Sequence, residues 1–246
     1  MELKKSEAII LRAKDFGESD RLVSFFSSLS GNLKGVAKGA RKSSRRFVNS
    51  LTIFSLVHAE FRERRSSDLV WLDSCELIDG YPGIRKSYNN LLKASIMVEM
   101  AEILFPLSVP SPEMFRLLRS ALDALSREGD REETMLMFQA QAMNLGGFGI
   151  NVSKCGLCGR SYKKEGRALF HPPSGSIVCT ACEKESTRSP GMDPGTVRVL
   201  EELQSTDLSE STSLSCDTTV ISELKKVLTL HIEHRLGKRL KSAQYL

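Results

Sequence analysis

Residues 8–37 read AIILRAKDFGESDRLVSFFSSLSGNLKGVA, and this stretch decides the class of fold. Glycine-containing turns separate three apolar runs within it, Ala8–Leu11, Leu22–Phe26 and Leu33–Ala37. Two more runs follow, Ile53–Phe61, which alternates apolar and polar residues, and Leu69–Leu77, which contains the only tryptophan. Five strands in about 80 residues predict a small β-barrel, and at this point both an OB-fold and an SH3-like barrel remain open.

The pattern changes to helical spacing after Tyr81-Pro82-Gly83. Apolar residues then recur every three or four positions in three segments, Leu92–Leu104, Phe115–Leu125 and Met135–Leu145. Two more helices are predicted over about 194–204 and 217–237, and the Ser- and Thr-rich segment Ser205–Thr219 is predicted to be a flexible connection between them. The chain is therefore predicted to be α+β, with a barrel domain at 1–80 and a helical domain at 81–246.

Positive charge is concentrated near the N-terminus. Residues 1–65 contain 14 Lys and Arg against 7 Asp and Glu, whereas the other residues contain 21 against 23. The candidate DNA-binding residues lie in an acid-free run and in the predicted turn between the fourth and fifth strands: Lys34, Lys38, Arg41, Lys42, Arg45 and Arg46, then Arg62, Arg64 and Arg65. Such clustering indicates a polyanionic partner, most commonly nucleic acid. A solvated basic loop is the alternative.

Three aromatic residues near this charge could stack on bases: Phe16, Phe47 and Trp71. For an aromatic side chain in a small barrel, however, a position in the core is the favoured interpretation. His231 follows the apolar helical stripe of Leu224 and Leu228, which favours a packed histidine over a ligand or a base.

No catalytic motif is found in the sequence: it lacks a P-loop, a Rossmann glycine run, H-E-x-x-H and G-x-S-x-G. Asp15, Glu18 and Asp20 could suggest a metal-dependent nuclease, but a solvated acidic turn beside Arg21 is favoured. The prediction is a non-enzyme without a small-molecule substrate. Because the sequence has no run of about 18 apolar residues and no secretory signal, it also predicts a cytosolic protein that does not bind membranes.

The most specific signal is a pair of C-x-x-C motifs, Cys155-Gly-Leu-Cys158 and Cys179-Thr-Ala-Cys182. Two residues between thiolates allow both sulfurs to turn toward one ion, and two such motifs supply four tetrahedral ligands for zinc. An iron–sulfur cluster and disulfides are the alternatives. A four-thiolate site has no open position for substrate, so the expectation is one structural Zn²⁺ that stabilises an insert at about 153–184.

Several segments together resemble one family. The opening of the chain is similar to that of RecO proteins, recombination mediators of bacteria, in four places: Glu7–Leu11, Gly17–Arg21, Gly31 and Ala37–Arg41. Leu51–Glu60 resembles the next strand of that family, the C-x-x-C motifs stand where many of its members carry zinc, and Leu236–Ser242 with Tyr245-Leu246 is similar to its C-terminus. The run Lys42–Asn49 departs from the family in being more basic.

The resemblance implies an N-terminal OB-fold followed by a helical domain with a zinc module. It also implies a DNA repair function: binding of single- and double-stranded DNA, annealing of complementary strands, and action with RecR, and often RecF, to help RecA replace single-strand-binding protein. This work would take place in the bacterial cytoplasm, at the nucleoid. The other functions left open are an OB-fold and zinc protein that binds RNA or serves translation, and a metal-dependent nuclease.

The resemblance further implies contact with the acidic C-terminal tail of single-strand-binding protein. The last helix and the tail of the present chain contain cations beside apolar residues, with Lys225 and Lys226 preceding the candidate partner-binding residues Arg235, Lys238, Arg239 and Lys241. Opposite charges would steer an acidic tail to this region. The alternative is a solvated helix end whose cations favour the helix dipole.

Overall fold

The computed structural model describes residues 2–64, 67–205 and 216–245, and the chain divides into two compact units, Met1–Asp130 and Arg131–Leu246. Five strands of the first unit form a closed barrel: β1 (Leu3–Phe16), β2 (Asp20–Ser27), β3 (Gly31–Ala37), β4 (Leu56–Arg64) and β5 (Ser67–Asp79). Their order is β1-β2-β3-β5-β4, and only the β3–β5 pair within this barrel is parallel. This is the topology of an OB-fold, so the predicted fold class is confirmed.

Every second side chain along the strands points inward, and these side chains fill the barrel interior. Val23 and Phe25 on β2, and Phe61 on β4, are fully buried, and the rings of Phe25 and Phe61 meet edge to face with centroids 5.6 Å apart. Because successive strand residues point to opposite faces, the residues between them face outward. The residues that point inward therefore determine which side chains lie on the outer face of the barrel.

The fourth strand begins later than the predicted Ile53–Phe61. β4 starts at Leu56, and the preceding Phe54 has a φ of +75°. Ile53 is 37% exposed and lies in a turn rather than in the barrel core. The apolar spacing of Ile53 matched the strand period, but a left-handed residue interrupts an extended chain.

Two helices follow the barrel, α1 (Tyr88–Leu104) and α2 (Pro112–Glu128), and both pack against β1. Ion pairs join them to that strand, Arg12 to Glu102 at 2.7 Å and Arg119 to Glu7 at 2.8 Å. These contacts make the two helices part of the first compact unit.

Gly31, at the start of β3, is a position that requires glycine. Its φ is +69°, and a Cβ there would lie 1.9 Å from the carbonyl oxygen of Val109. Gly17 has a similar φ of +63° but open space around it. We expect Gly17→Ala to reduce the free energy of unfolding by about 1 kcal/mol, the usual cost of a left-handed alanine.

Gly31→Ala should cost about 3 kcal/mol, because the steric clash with Val109 adds to the same backbone strain. Urea denaturation followed by circular dichroism measures both variants. Equal destabilisation by the two substitutions would mean that the close approach at Gly31 is wrong.

In the described part of the second unit there are three α-helices and a small sheet of order β7-β6-β8. Its elements are α3 (Glu132–Leu145), β6 (Ala168–His171), β7 (Ser176–Val178), β8 (Gly191–Met192), α4 (Pro194–Ser205) and α5 (Thr218–Leu236). The five helices predicted from the sequence are thus present. Of the predicted connection Ser205–Thr219, residues 206–215 lie outside the described residues.

The cysteine-bearing insert does not stand apart from these helices. Phe170 and Ile177 of its sheet share one buried cluster with Leu136 of α3, Leu200 of α4 and Leu228 of α5. Loss of the insert would therefore expose the core of the second unit.

His231 on α5 belongs to the same interior. It is fully buried, its ring meets that of Phe170 edge to face at 5.5 Å, and its Nε2 bonds to the carbonyl oxygen of Phe148. Burial lowers the pKa of His231, which keeps the ring neutral. The prediction of a packed histidine is confirmed. None of the helices in the described part of the chain is long and apolar enough to cross a membrane.

Candidate nucleic-acid interface and metal centre

One row of side chains crosses the outer face of the barrel through all five strands. The directly opposed pairs are Lys14–Leu22, Leu22–Val36, Val36–Trp71 and Trp71–Arg62. Opposed residues in a sheet share a face, so these five side chains form a continuous line. Lys14 and Arg62 at its ends are exposed, Leu22 and Trp71 are partly exposed, and Val36 is buried. We call this line the cross-strand row: it is apolar at its centre and cationic at both ends.

Two lysines on β3 and just beyond it add charge beside the row. Lys34 and Lys38 lie two residues before and after Val36, and therefore on the same side of the chain. The Nζ of Lys38 lies 4.2 Å from the centroid of the Trp71 ring. The apolar centre of the cross-strand row is thus flanked by cations along the strand as well as across it.

The basic segment after β3 folds back onto the turn between β1 and β2. The guanidinium of Arg41 donates hydrogen bonds to the carbonyl oxygens of Gly17 and Glu18, at 3.4 and 3.1 Å. Its Nε lies 3.4 Å from a carboxylate oxygen of Asp15. Arg41 therefore has a bracing role in the free protein.

Arg46 braces the far end of the same segment. It donates hydrogen bonds to the carbonyl oxygens of Lys38 at 2.7 Å and Asp73 at 3.3 Å. The next residue, Phe47, is buried in the barrel core and fixes the chain there. Lys42 and Arg45 between the two braces are exposed, and among the described residues no ion pair or hydrogen bond holds either side chain. These two cations are the most accessible of the segment.

The sequence pattern predicted that Arg62 and Arg64 lie in a turn, and this prediction is wrong. Strand β4 continues to Arg64, so both arginines belong to it, and Arg65 lies outside the described residues. The Nε of Arg62 lies 2.7 Å from Asp73 on the neighbouring strand. The prediction failed because a strand with one face in solvent can continue through charged residues, so the charge of this segment does not mark the end of β4.

The three candidate stacking aromatics occupy different environments. Phe47 is 5% exposed and lies in the core, as favoured from the sequence. The same interpretation is wrong for Phe16, which is 52% exposed at the end of β1. The interpretation is wrong for Trp71 as well, which is partly exposed and lies outside the barrel core cluster because its register places it on the outer face.

The acidic residues near the first turn have structural partners. Asp15 lies 3.3 Å from Arg21, and Asp20 accepts hydrogen bonds from the Gly39 amide at 2.8 Å and the Ser19 hydroxyl at 2.9 Å. The Gly39 amide, followed by Ser19, lowers the pKa of Asp20. These carboxylates hold the turn and the start of the basic segment, in agreement with the interpretation as an acidic turn beside Arg21.

The four paired cysteines converge in the second unit. The sulfur atoms of Cys155, Cys158, Cys179 and Cys182 all lie within 4.8 Å of one another, and those of Cys158 and Cys179 are 3.9 Å apart. Tetrahedral zinc with Zn–S bonds of about 2.3 Å requires sulfur separations of roughly 3.8 Å. Within the described residues, no other group of three or more His, Cys, Asp or Glu side chains converges in this way.

The environment of these thiols also suits a cation. Burial raises the pKa of Cys155, but backbone amides of Cys158, Cys179 and Leu157 outweigh it and lower the pKa to about 6. Hydrogen bonding with Cys179 and then Cys158 raises the pKa of Cys182 to about 12. Four such close sulfurs can all lose their protons only when a positive ion compensates the charge. The site therefore fits a thiolate-bound metal ion.

The candidate partner-binding cations lie at the end of α5 and beyond it. Arg235 is partly buried, with a nitrogen of its guanidinium close against the backbone of Gly175. Arg239 pairs with Glu233 at 3.3 Å, and Lys238 is exposed. Lys241 is exposed as well. Arg235 therefore contributes to the packing of the second unit, whereas Lys238 and Arg239 present charge to solvent.

An OB-fold barrel with cations on its outer face, together with four converging cysteines that fit a metal ion, is typical of one class of nucleic-acid-binding proteins. Comparison with known proteins identifies the family. Residues 1–81 match the family described as recombination protein O N terminal, and residues 85–244 match recombination protein O C terminal. The chain belongs to the RecO family of DNA repair proteins.

Relatives in several bacteria agree with this assignment. The DNA repair protein RecO of Anaeromyxobacter dehalogenans strain 2CP-1 is 33% identical over 246 residues, which is 100% of this chain and 96% of the relative. That of Syntrophobacter fumaroxidans is 34% identical over 85% of this chain and 82% of its own length. That of Myxococcus xanthus is 30% identical over 100% of this chain and 98% of its own length.

Proposed function

We propose that this chain is a non-catalytic recombination mediator that binds single- and double-stranded DNA and anneals complementary strands. The observation that carries the proposal is the cross-strand row, with its apolar centre and its cationic ends. Phosphates would contact Lys14, at one end of the cross-strand row. They would also contact the candidate DNA-binding residues predicted from the sequence, which are Lys34, Lys38, Arg41, Lys42, Arg45, Arg46, Arg62, Arg64 and Arg65. Backbone contacts of this kind act on any sequence, as repair requires.

Annealing follows from charge neutralisation. Two complementary strands repel each other through their phosphates, and each Lys or Arg that reaches a phosphate reduces this repulsion and releases a counterion. Lys42 and Arg45, accessible between the two braces at Arg41 and Arg46, are well placed for a second strand. No bond of the DNA has to be made or broken in this process.

The metal centre has a structural role in this proposal. We assign one Zn²⁺ to Cys155, Cys158, Cys179 and Cys182, and with four thiolate ligands it would have no open position for water or substrate. The residues themselves determine the consequence: the two cysteine pairs flank β6 and β7, so the ion would hold these strands against the helices of the second unit.

As partners we propose RecR, with RecF and RecA acting in the same process, and single-strand-binding protein through its acidic tail. This work would take place in the bacterial cytoplasm at the nucleoid. Lys238 and Arg239 offer accessible charge for the acidic tail, beside Arg235 and Lys241.

The docking of the tail can be measured with a peptide of its last residues. We expect Lys238→Glu with Arg239→Glu to weaken binding of the peptide by about 10-fold, because the encounter loses its charge complementarity. Fluorescence anisotropy of a labelled peptide measures this. Arg160→Glu with Lys163→Glu makes the same charge change elsewhere in the second unit and should leave the affinity within about 2-fold. Equal affinity of the first variant and the wild type would contradict this dock.

A further inference from the structure

Trp71 occupies the centre of the cross-strand row. On one side it opposes Val36 of β3, and on the other it opposes Arg62 of β4. A large aromatic ring on the outside of a barrel is not needed to fill the core, and the barrel core cluster does not include it. Its position between an apolar neighbour and a cation suits a flat apolar ligand that is attached to a phosphate.

The ring of Trp71 is covered in part by an exposed lysine side chain. The ammonium group of Lys38 lies 4.2 Å from the ring centroid, and this lysine is exposed. At an exposed site a contact between a cation and an aromatic ring is weak, so a planar ligand can displace the ammonium group. The displaced lysine remains within reach of a phosphate next to that ligand, since it stays tethered beside the ring.

We propose that Trp71 stacks on an unpaired DNA base and thereby gives the protein a preference for single strands over duplex. This inference rests on the proposed function and adds the group that distinguishes the two forms of DNA. In a duplex the flat faces of the bases are covered by their neighbours, whereas a single strand can offer a base to an aromatic side chain. The cations of the row bind both forms, and Trp71 adds affinity only for the single strand.

The test uses the intrinsic fluorescence of the full chain, since Trp71 is the only tryptophan. A thymidine oligonucleotide is titrated against the wild type, and so is an abasic oligonucleotide of the same length and charge. Labelled versions of both establish by anisotropy that each is bound. Stacking predicts strong quenching by the thymidine strand and little quenching by the bound abasic strand. Equal quenching by the two bound strands would overturn the inference.

Variants supply the second measurement. Trp71→Ala should weaken single-strand binding by roughly 10-fold or more and leave duplex binding within about 2-fold, whereas Trp71→Phe should retain most single-strand affinity. A parallel loss for both forms of DNA in Trp71→Phe would indicate a structural role and overturn the inference. A wild type that binds neither form would refute the proposed function itself. A wild type that binds both forms, with a Trp71→Ala variant that binds them equally well, would refute stacking alone.

Discussion

Replacing Lys38, Lys42 and Arg45 together with glutamate is expected to weaken DNA binding about 100-fold near 0.1 M salt, by a similar factor for every sequence. The estimate follows from counterion release: each phosphate contact contributes about 0.7 to the salt exponent for a single strand, or about 5-fold at this salt concentration. All three side chains are exposed, and none of them braces the segment as Arg41 and Arg46 do. Replacing Arg41 or Arg46 would remove DNA contacts and loop structure together, so the two effects could not be separated.

Salt titrations of binding to labelled oligonucleotides provide the measurement. The slope of log K against log salt should become flatter by about 2, the share of the three lost contacts. The matched control is Lys86, Arg116 and Arg127 replaced with glutamate, which makes the same charge change at exposed sites on the helical segments that follow the barrel. If the control lost as much affinity, or if the first variant kept the wild-type slope, the assignment of the basic segment to DNA would be wrong.

Cys179→Ser is expected to remove the metal and to unfold much of the second unit. Binding of a structural zinc contributes on the order of 10 kcal/mol, and the strands near the site share a buried core with three helices. The variant should contain far less than one zinc per chain and should melt at a much lower temperature. Binding of DNA through the barrel should persist, because the barrel has its own core.

Metal analysis and thermal melting test this prediction, with Cys216→Ser as the control. Cys216 is a free, partly exposed cysteine that does not belong to the cluster, so its replacement should change neither zinc content nor stability appreciably. A wild-type protein that contains no zinc, with all four thiols reactive, would contradict the assignment. Equal loss of metal in both variants would do the same.

Local patterns in the sequence predicted most elements of the fold. The helical spacing at Leu92–Leu104 and the other apolar stripes depends on residues close together in the chain, and so does the C-x-x-C spacing of the metal ligands. The predicted start of β4 was wrong because the positive φ of Phe54 cannot be read from a pattern of apolar residues. Strand β1 extends to Phe16, beyond the predicted Ala8–Leu11, because its polar end faces solvent.

The candidate interface could be predicted only in part. Basic residues in sequence indicated the region, but the cross-strand row depends on the register of five strands and on the parallel pairing of β3 with β5. That pairing places Trp71 opposite Val36 across more than thirty residues of chain, and no local pattern contains it. Lys14 was missed for the same reason, since only its pairing with Leu22 places it on the row.

The proposed mediator function predicts that the chain accelerates the annealing of complementary oligonucleotides. The purified chain is mixed with the two strands, bare or coated with single-strand-binding protein, in the absence of any nucleotide cofactor. Annealing should be faster than without the chain in both cases, and this acceleration should be lost in the variant with Lys38, Lys42 and Arg45 replaced. A wild-type chain that leaves the annealing rate unchanged, or a variant that anneals as fast as the wild type, would contradict the proposed mediator function.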